Sequence, residues 1–355
     1  MKKEFIFNRL NLINRLRILE NRDLKKGLRL NRNERVEDFP RDILQKIFKN
    51  TPKYNLGKYP DHSVIYKYLS KYLNLKEENI LLSSGIDGSL KTIFETMLKP
   101  KDKISYLEPS YAMYSVFSKI YKINAFKITY NQDFRLNKKK IYESVKKGSK
   151  IIFIPNPNQP IEDNLSIKDL KKICNFCRYY KCLVVIDEAY HMYGAVSAKS
   201  LCKIFDNLIV LRTFSKSFGL PSIRLGYIIS NSKIINLLGS YRLSYESNFL
   251  TDTVAIYFLK NIRKVKNYIK KVISGREFVK KKLSAKGIKV YGKSSNCLLI
   301  KFNNQIQYLR ITKALYNKKI YVKSNYQGLL KNCILITCGP IIYMKKLLEV
   351  INKNI

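Results

Sequence analysis

The sequence of 355 residues contains no tryptophan and only two histidines, and 68 Lys and Arg far outnumber its 26 acidic residues. It also lacks an uninterrupted apolar run near the ~18 residues that a membrane-spanning helix needs. The N-terminal stretch is basic, but Asn and Arg interrupt it every few residues, so the apolar core of a signal peptide is missing. We therefore expect a soluble, cytoplasmic protein.

The cysteines and histidines show no pattern of a metal site. The seven cysteines lie mostly in apolar runs, which is typical of free thiols in a reducing compartment. Cys174 and Cys177 form a C-x-x-C, but no second pair or nearby histidine completes a zinc site. His62 and His191 are each isolated, and we interpret them as solvated or core side chains. The sequence therefore predicts no metal.

The formal net charge of +42 is compatible with a polyanionic partner or with a general bias in residue usage. Lys, Ile, Asn and Tyr are all abundant together, and no basic low-complexity block stands apart from the folded pattern. We therefore favour residue usage over a nucleic-acid or membrane partner. A hydrophobic content of 46% excludes disorder as the main state.

Short runs rich in Ile, Val and Leu alternate with helical periodicity, which predicts an α/β fold with a mostly parallel sheet and helices on both faces. We predict an N-terminal segment (1–45) that packs on a small domain, a large domain (46–245) and a smaller α/β C-terminal domain (246–355). The predicted strands of the large domain are 79–84, 103–108, 150–155, 182–187, 207–212 and 224–230, with helices at 87–98 and 166–180. The predicted helices of the small domain are 249–286, 305–317 and 342–354.

Polar residues follow several of these strands directly. Asp187 ends the strand 182–187, Lys216 follows the strand 207–212, and Asn156 follows the strand at 150–155. Gly85 opens a helix whose free N–H groups could hold a phosphate. Because ligands bind at the carboxyl ends of parallel strands, we expect these residues to converge on one edge of the sheet.

With these residues in that order, the chain resembles the pyridoxal-phosphate-dependent aminotransferases of fold type I, and among them the histidinol-phosphate aminotransferases. The resemblance covers roughly residues 28 to 350. The matching motifs are LRLNRNE (28–34), KYPD (58–61), SSGIDGSL (83–90), EPSYAMY (108–114), NPNQP (156–160), VIDEAY (185–190) and RTFSKSFGLPSIRLGY (212–227). The resemblance implies the fold of those enzymes and the cofactor pyridoxal 5′-phosphate.

The resemblance implies catalytic roles for Lys216, Asp187 and Tyr190. A lysine amine forms an imine with the cofactor aldehyde and then moves a proton during the reaction, which is the role implied for Lys216. A carboxylate beside the pyridine nitrogen keeps that nitrogen protonated, and Asp187 matches this position. Tyr190, together with Asn156, matches the residues that hydrogen-bond the phenolic oxygen of the cofactor.

The remaining cofactor contacts implied by the resemblance concern the ring and the phosphate. Tyr111 matches the aromatic side chain that stacks on the ring, whereas we interpret Tyr114 as a core residue. For the phosphate, positive charge and hydrogen-bond donors are needed. The implied phosphate ligands are Ser215, Arg224 and the backbone around Gly85, Ile86 and Asp87.

Tyr59 in KYPD matches a tyrosine that reaches the phosphate bound by the neighbouring subunit. A monomer would leave Tyr59 without that contact. The resemblance therefore implies a homodimer with shared active sites.

The sequence departs from the family near the C-terminus. The family usually carries C-L-R-I-T-V-G, whose arginine binds the substrate carboxylate, but here Leu335 stands at the arginine position. The sequence LRIT at 309–312 lies in a helical pattern and does not replace it. Lys323, or less strongly Arg242, is a candidate substitute cation; otherwise the substrate has no carboxylate at that place or the pocket has changed.

The motifs favour an aminotransferase that moves an amino group from a donor amino acid to a keto or aldehyde acceptor. A decarboxylase resembling threonine-phosphate decarboxylase is the alternative, because the cofactor motifs do not distinguish the two. A basic nucleic-acid-binding protein on an inactive aminotransferase scaffold is the remote alternative.

Overall fold

The computed structural model describes residues 26–49, 51 and 56–355. Within these residues the strands are β1 (Leu28–Leu30), β2 (Ile80–Ser83), β3 (Lys103–Glu108), β4 (Asn124–Thr129), β5 (Ile151–Pro155), β6 (Leu183–Asp187), β7 (Leu208–Thr213), β8 (Gly226–Ile229), β9 (Lys289–Tyr291), β10 (Cys297–Lys301), β11 (Ile320–Val322) and β12 (Cys333–Thr337).

The helices of the same residues are α1 (Ile43–Phe48), α2 (Ser63–Leu73), α3 (Gly85–Met97), α4 (Met113–Ile120), α5 (Lys138–Lys146), α6 (Ile167–Tyr179), α7 (Ser232–Gly239), α8 (Phe249–Lys260), α9 (Ile262–Ser284), α10 (Gln305–Asn317) and α11 (Ile341–Asn352). Short 3-10 helices occupy Glu77–Asn79, Lys199–Lys203, Pro221–Ile223 and Gly328–Leu330.

The main sheet has seven strands in the order β2-β8-β7-β6-β5-β3-β4. The pairs from β4 to β7 are parallel, and β8 runs antiparallel between β7 and β2. The register places Pro155 opposite Asp187 and Asp187 opposite Leu211, so the carboxyl ends of β5, β6 and β7 lie side by side. The predicted α/β fold with a mostly parallel sheet is confirmed.

Both faces of this sheet are buried, as a parallel sheet requires. In β5, Ile151 and Phe153 pack into one core cluster while Ile152 and Ile154 pack into another, because successive side chains point to opposite faces. Helices α3, α4 and α7 cover the first face. Residues of α5 and α6 cover the second. Because helices cover both faces of the sheet, side chains that point in either direction are apolar. The strand sequences are therefore continuous apolar runs.

Strand β4 at the sheet edge has no counterpart among the predicted strands. It pairs only with β3, and most of its side chains are wholly or partly exposed. An edge strand does not need a continuous apolar run, and the sequence NAFKIT lacks one. The strand is therefore stabilised by its pairing with β3 rather than by a pattern of its own.

The C-terminal part contains a three-stranded antiparallel sheet, β12-β10-β9, and the parallel pair of β1 with β11. The single helix predicted over 249–286 is instead two helices, α8 and α9. The break lies at Asn261, whose side chain and backbone N–H both donate to the carbonyl of Tyr257. An asparagine that bonds to nearby backbone in this way competes with helix continuation.

The described part of the N-terminal segment does contact the C-terminal unit, through β1 on β11. Residues 1–25 of that segment lie outside the described residues, and the predicted domain bounds themselves stay a prediction. Among the described residues, no helix has the length and apolar character that crossing a membrane requires.

Candidate active site

A cavity of about 380 Å³ opens at the carboxyl ends of β5, β6 and β7. The segment after β1, at 31–34, and the C-terminal residues Lys323 and Leu335 also line it. The predicted site residues that line this cavity are Ile86, Asp87, Tyr111, Asp187, Tyr190, Ser215, Lys216 and Arg224. The fold thus brings most of the predicted site together at one sheet edge.

Lys216 follows β7 and extends its amine across the cavity. Its Nζ donates to the carbonyl of Asn33 at 3.2 Å and to that of Arg32 at 3.4 Å. Burial lowers the pKa of the Lys216 ammonium below its ordinary value. A buried lysine with a lowered pKa reaches the neutral, nucleophilic form more readily than a surface lysine.

Asp187 ends β6 and is buried, and each of its oxygens accepts a hydrogen bond. Oδ1 accepts from the backbone N–H of Ala189 at 2.9 Å, and Oδ2 accepts from the hydroxyl of Tyr114 at 2.8 Å. Burial raises the pKa of Asp187 to about 6, while the bond from Tyr114 acts in the opposite direction. The carboxylate is therefore held in a fixed orientation.

Tyr114 is fully buried, as expected of a core residue, but its bond to Asp187 also makes it part of the site. Its ring lies 6.0 Å from that of Tyr111 in an edge-to-face arrangement. In the sequence, Tyr114 stands three residues after Tyr111, and this spacing alone did not indicate its bond to Asp187.

Tyr190 lines the cavity beside Asp187, and its hydroxyl accepts a 2.7 Å hydrogen bond from Nδ2 of Asn33. Burial raises the pKa of the Tyr190 phenol well above its ordinary value, so the phenol stays protonated. Asn33 lies in the LRLNRNE motif but was not among the predicted site residues. Its contact with Tyr190 joins positions 157 residues apart, which no local pattern reveals.

The start of α3 and Arg224 form a cradle at one end of the cavity. Gly85 has φ +69°, and a Cβ at this position would lie 2.9 Å from Nη2 of Arg224. The positive φ favours glycine at this position, and the absence of a side chain leaves room for the guanidinium. Arg224 lies 3.6 Å from Asp87, whose Oδ1 accepts a 2.6 Å bond from the Tyr111 hydroxyl. Ser215 is buried beside Thr213, which donates to its hydroxyl.

The prediction that the Asn156 side chain contacts the cofactor is not supported by its position. Its amide donates to the carbonyls of Leu165 and Val196 and accepts from the Leu165 N–H, and it does not line the cavity. Through these three bonds, the Asn156 amide holds the surrounding loops together. The structure therefore shows this amide holding the loops, and its predicted contact with the cofactor stays a prediction.

Gln159, in the same N-P-N-Q-P turn, lines the cavity instead. Its Nε2 donates to Oγ of Ser295 at 2.7 Å, and its Oε1 is buried with no hydrogen-bond partner among the described residues. Ser295 in turn donates to Glu162, which also accepts from the backbone N–H of Ser294. Gln159 thus touches both the cavity and the C-terminal unit.

Tyr59 does not line the cavity of its own chain. Its side chain is 79% exposed, and its ring stacks on that of Tyr245 with centroids 4.5 Å apart. Tyr59 therefore lies at the surface of the described chain. Its contact with a neighbouring subunit stays a prediction.

The two cations that could replace the arginine missing at Leu335 lie in different places in the fold. Lys323 lines the cavity together with Leu335, whereas Arg242 pairs with Glu246 at 3.1 Å beside a different pocket. Arg310 of the LRIT sequence lies in α10, as its helical pattern indicated. Lys323 is thus the candidate that the structure brings to the site.

Behind the cavity, Glu188 and Arg212 form a buried ion pair at 2.8 Å. Burial and the charge of Arg212 hold the pKa of the adjacent His191 well below its ordinary value, so that imidazole is neutral. His62 bonds to Asp252 at 2.7 Å. Among the described residues, no group of His, Cys, Asp and Glu could hold a metal ion.

The arrangement fits pyridoxal 5′-phosphate. The glycine cradle with Arg224 suits a phosphate, and Asp187 suits a protonated ring nitrogen. The unpartnered Oε1 of Gln159 shows that the wall retains hydrogen-bonding capacity for a ligand.

Comparison with known proteins agrees with this geometry. The model of the family described as aminotransferase class I and II matches residues 27–351. Histidinol-phosphate aminotransferase of Caldanaerobacter subterraneus subsp. tengcongensis is 31% identical over 309 residues, which is 85% of this chain and 86% of the relative. The enzyme of the same name from Pyrococcus furiosus is 32% identical over 312 residues, 87% of each chain.

Solved structures show the same fold. Histidinol-phosphate aminotransferase from Sinorhizobium meliloti, in complex with pyridoxal 5′-phosphate, has a TM-score of 0.82 and 20% identity and covers 92% of this chain and 91% of its own. The enzyme from Clostridium acetobutylicum has a TM-score of 0.80 and 23% identity, with 92% and 98% covered. The predicted family, fold and cofactor are confirmed: the chain belongs to the aminotransferase class I and II family and is a pyridoxal-phosphate-dependent aminotransferase of fold type I.

Proposed function

We propose that this aminotransferase interconverts histidinol phosphate and the corresponding ketone. The other amine and carbonyl pair of the reaction is a donor amino acid, such as glutamate, and its keto acid. The observation that carries the proposal is the 31% identity to several histidinol-phosphate aminotransferases over 85–92% of this chain. The proposal places the enzyme in amino-acid biosynthesis in the cytoplasm. Its seven cysteines, all free and buried, support a reducing compartment.

The bound cofactor supplies an electron sink for the carbon that carries the substrate amine. Lys216 then holds and moves the proton at that carbon, because its amine lies at the cavity wall and burial favours its neutral form. Asp187 supplies a fixed negative charge, oriented by Tyr114 and Ala189. Tyr190, positioned by Asn33, offers a hydroxyl beside the same wall.

The experiment that tests the substrate combines the loaded enzyme with histidinol phosphate and 2-oxoglutarate and measures glutamate. We expect glutamate to form with histidinol phosphate and much less with histidinol, which lacks the phosphate. Glutamate formation from other amines but none from histidinol phosphate would contradict the proposal. Release of carbon dioxide from a phosphorylated amino acid without glutamate would favour the decarboxylase alternative.

Lys216→Ala tests the catalytic lysine. We expect the variant to lose the visible absorbance of the lysine-bound cofactor and its turnover, while its far-UV circular dichroism stays unchanged. Lys331→Ala is the matched control, because Lys331 is exposed and does not line the cavity. A wild-type visible spectrum in Lys216→Ala would contradict the assignment.

We also propose that the enzyme is a homodimer in which Tyr59 reaches the cofactor phosphate of the partner subunit. The exposed Tyr59 and Tyr245 rings, with Leu243 exposed by 78%, support an apolar contact surface. We expect light scattering to give twice the chain mass, and Tyr59→Phe to raise the dissociation constant of the cofactor without changing that mass. A monomer at micromolar concentration would contradict the proposal.

A further inference from the structure

Asn33 lies between the main sheet and the C-terminal unit and bonds to both. Its backbone N–H donates to Oγ1 of Thr337 in β12 at 2.8 Å, and its carbonyl accepts from Nδ2 of Asn296 at 3.3 Å. On the other side, its Nδ2 donates to the Tyr190 hydroxyl at 2.7 Å, and its carbonyl accepts from Nζ of Lys216 at 3.2 Å. Asn33 thus contacts two of the three predicted catalytic residues, while bonds to the C-terminal unit hold its own backbone in place.

The backbone of Asn33 adopts a conformation that few residues tolerate. Its φ is +57°, in the left-handed region. Asparagine and aspartate enter this region more readily than other residues with a side chain, and glycine enters it freely. Replacement by Asp or Gly is therefore expected to change the side chain at this position and to leave the backbone bonds to Thr337 and Lys216 in place.

The bond from Asn33 restricts where the hydrogen of the Tyr190 hydroxyl can point. The amide N–H occupies an acceptor position of the phenol oxygen, so the single hydroxyl hydrogen must be directed elsewhere. Within the described residues, this hydroxyl makes no second hydrogen bond. Because Tyr190 lines the cavity, its hydrogen is available to a ligand there.

We propose that Asn33 is a positioning residue whose side chain directs the Tyr190 hydroxyl hydrogen toward the phenolic oxygen of the bound cofactor. The proposal rests on the proposed function, in which Tyr190 offers its hydroxyl at the cofactor. A phenol that also accepts a hydrogen bond is a stronger donor, because hydrogen bonds in a chain polarise one another. A bond donated to the phenolic oxygen draws negative charge away from the nitrogen that links Lys216 to the cofactor, so this nitrogen binds its proton less tightly.

Other titratable groups act on the same two side chains, and replacement of Asn33 leaves their identities unchanged. Burial and these groups together influence proton binding by Tyr190 and Lys216. The groups are Asp187, Tyr111, Cys297, Glu34, Asp87 and Arg224. An effect of an Asn33 variant that disappears when the Tyr190 hydroxyl is removed is therefore assigned to the bond between Asn33 and Tyr190.

The test titrates the visible absorbance of the cofactor-loaded enzyme against pH, with no substrate present. This absorbance reports the proton at the nitrogen that links Lys216 to the cofactor, so it is independent of turnover. We expect Tyr190→Phe to raise the midpoint by about 1 pH unit or more, as loss of a hydrogen bond to a charged oxygen implies. We expect a similar rise from Asn33→Asp, because a carboxylate only accepts and turns the hydroxyl hydrogen toward itself. Asn33→Gly leaves the hydroxyl free to rotate and is expected to give a smaller rise.

Asn33→Asp also adds a negative charge, and the Tyr190→Phe background measures the effect of that charge alone. There we expect Asn33→Asp to raise the midpoint by less than about half of its rise in the wild-type chain. Asn74→Asp is the matched control, because Asn74 also has a positive φ, +52°, but is exposed and does not line the cavity. We expect this control to leave the midpoint unchanged.

Equal rises from Asn33→Asp in the two backgrounds would overturn the proposal, because the variant would then act by its charge and not through the Tyr190 hydroxyl. An unchanged midpoint in Asn33→Asp, together with a rise in Tyr190→Phe, would overturn this proposal alone. An unchanged midpoint in Tyr190→Phe would overturn the proposed role of Tyr190 and this proposal with it. Since the titration uses no substrate, failure of the histidinol-phosphate assignment leaves it interpretable.

Discussion

The hydroxyl of Tyr114 donates a 2.8 Å hydrogen bond to Oδ2 of Asp187, and both side chains are buried. The bond joins α4 to the end of β6 across the apolar core of the main sheet. It stabilises the ionised form of the carboxylate, whereas burial favours the protonated form. Tyr114 is thus a positioning residue for Asp187.

Tyr114→Phe removes this bond and leaves the packing of the ring in place. We expect the pKa of Asp187 to rise further above its value of about 6, and the free energy of unfolding at pH 7 to fall by about 1–3 kcal/mol. Urea denaturation at several pH values measures both effects. Tyr106→Phe is the matched control, because Tyr106 is buried 6.0 Å away in the same cluster without contacting Asp187. Equal losses in the two variants would contradict the assigned role.

Asp187 makes the stability of the cofactor-free protein depend on pH. Its pKa is about 6 in the folded chain against 3.8 ordinarily, so the folded state holds the proton more tightly and stability falls as pH rises from about 4 to 6. Asp187→Asn removes that loss, and we expect the variant to be more stable than wild type by about 3 kcal/mol at pH 7.5. At pH 4 we expect no difference. A pH-independent difference, or an equal effect from exposed Asp206→Asn, would contradict this prediction.

The buried pair of Glu188 and Arg212 gives a prediction about stability alone. Glu188→Ala leaves the Arg212 charge buried without its partner, and we expect the free energy of unfolding to fall by about 3–5 kcal/mol. The exposed pair of Asp133 with Arg135 provides the comparison, where Asp133→Ala is expected to cost less than about 1 kcal/mol. Chemical denaturation at pH 7 measures both, and similar losses in the two variants would be inconsistent with the burial of the first pair.

Asn156 and Gln159 are predicted to differ in the kind of effect that their replacement has. Asn156→Ala removes three hydrogen bonds within the loops, so we expect a loss of about 2 kcal/mol in stability and an unchanged visible spectrum of the bound cofactor. Gln159→Ala removes an amide at the cavity wall, so we expect a shifted spectrum. A spectral shift in Asn156→Ala alone would contradict this expectation and support the predicted contact of Asn156 with the cofactor.

The sequence predicted the residues whose positions follow from the ends of buried strands. Asp187 and Lys216 lie where the apolar runs of β6 and β7 stop, and the parallel register brings those ends together. The same rule did not separate Asn156 from Gln159, because side-chain direction in an irregular turn has no period. The rule placed the turn at the cavity but did not indicate that the Gln159 side chain lines it.

Other parts of the site depend on contacts between distant segments. Asn33 reaches Tyr190 only after β1 has paired with β11, and Lys323 meets Leu335 only through a bridge between separate elements. Neither contact leaves a local signature in the sequence. The sequence alone therefore showed that Leu335 replaces the family's arginine. It did not show which of the two candidate cations, Lys323 or Arg242, lies beside Leu335 in the fold.

The amide of Gln159 has a second consequence, since it faces the cavity and also donates to Ser295 of the C-terminal unit. Ser295 and Ser294 are both held by Glu162, which follows Gln159 in the same loop. A ligand that turns this amide to reach its free Oε1 must also move the nitrogen that donates to Ser295. One side-chain amide therefore contacts both the contents of the cavity and the C-terminal unit.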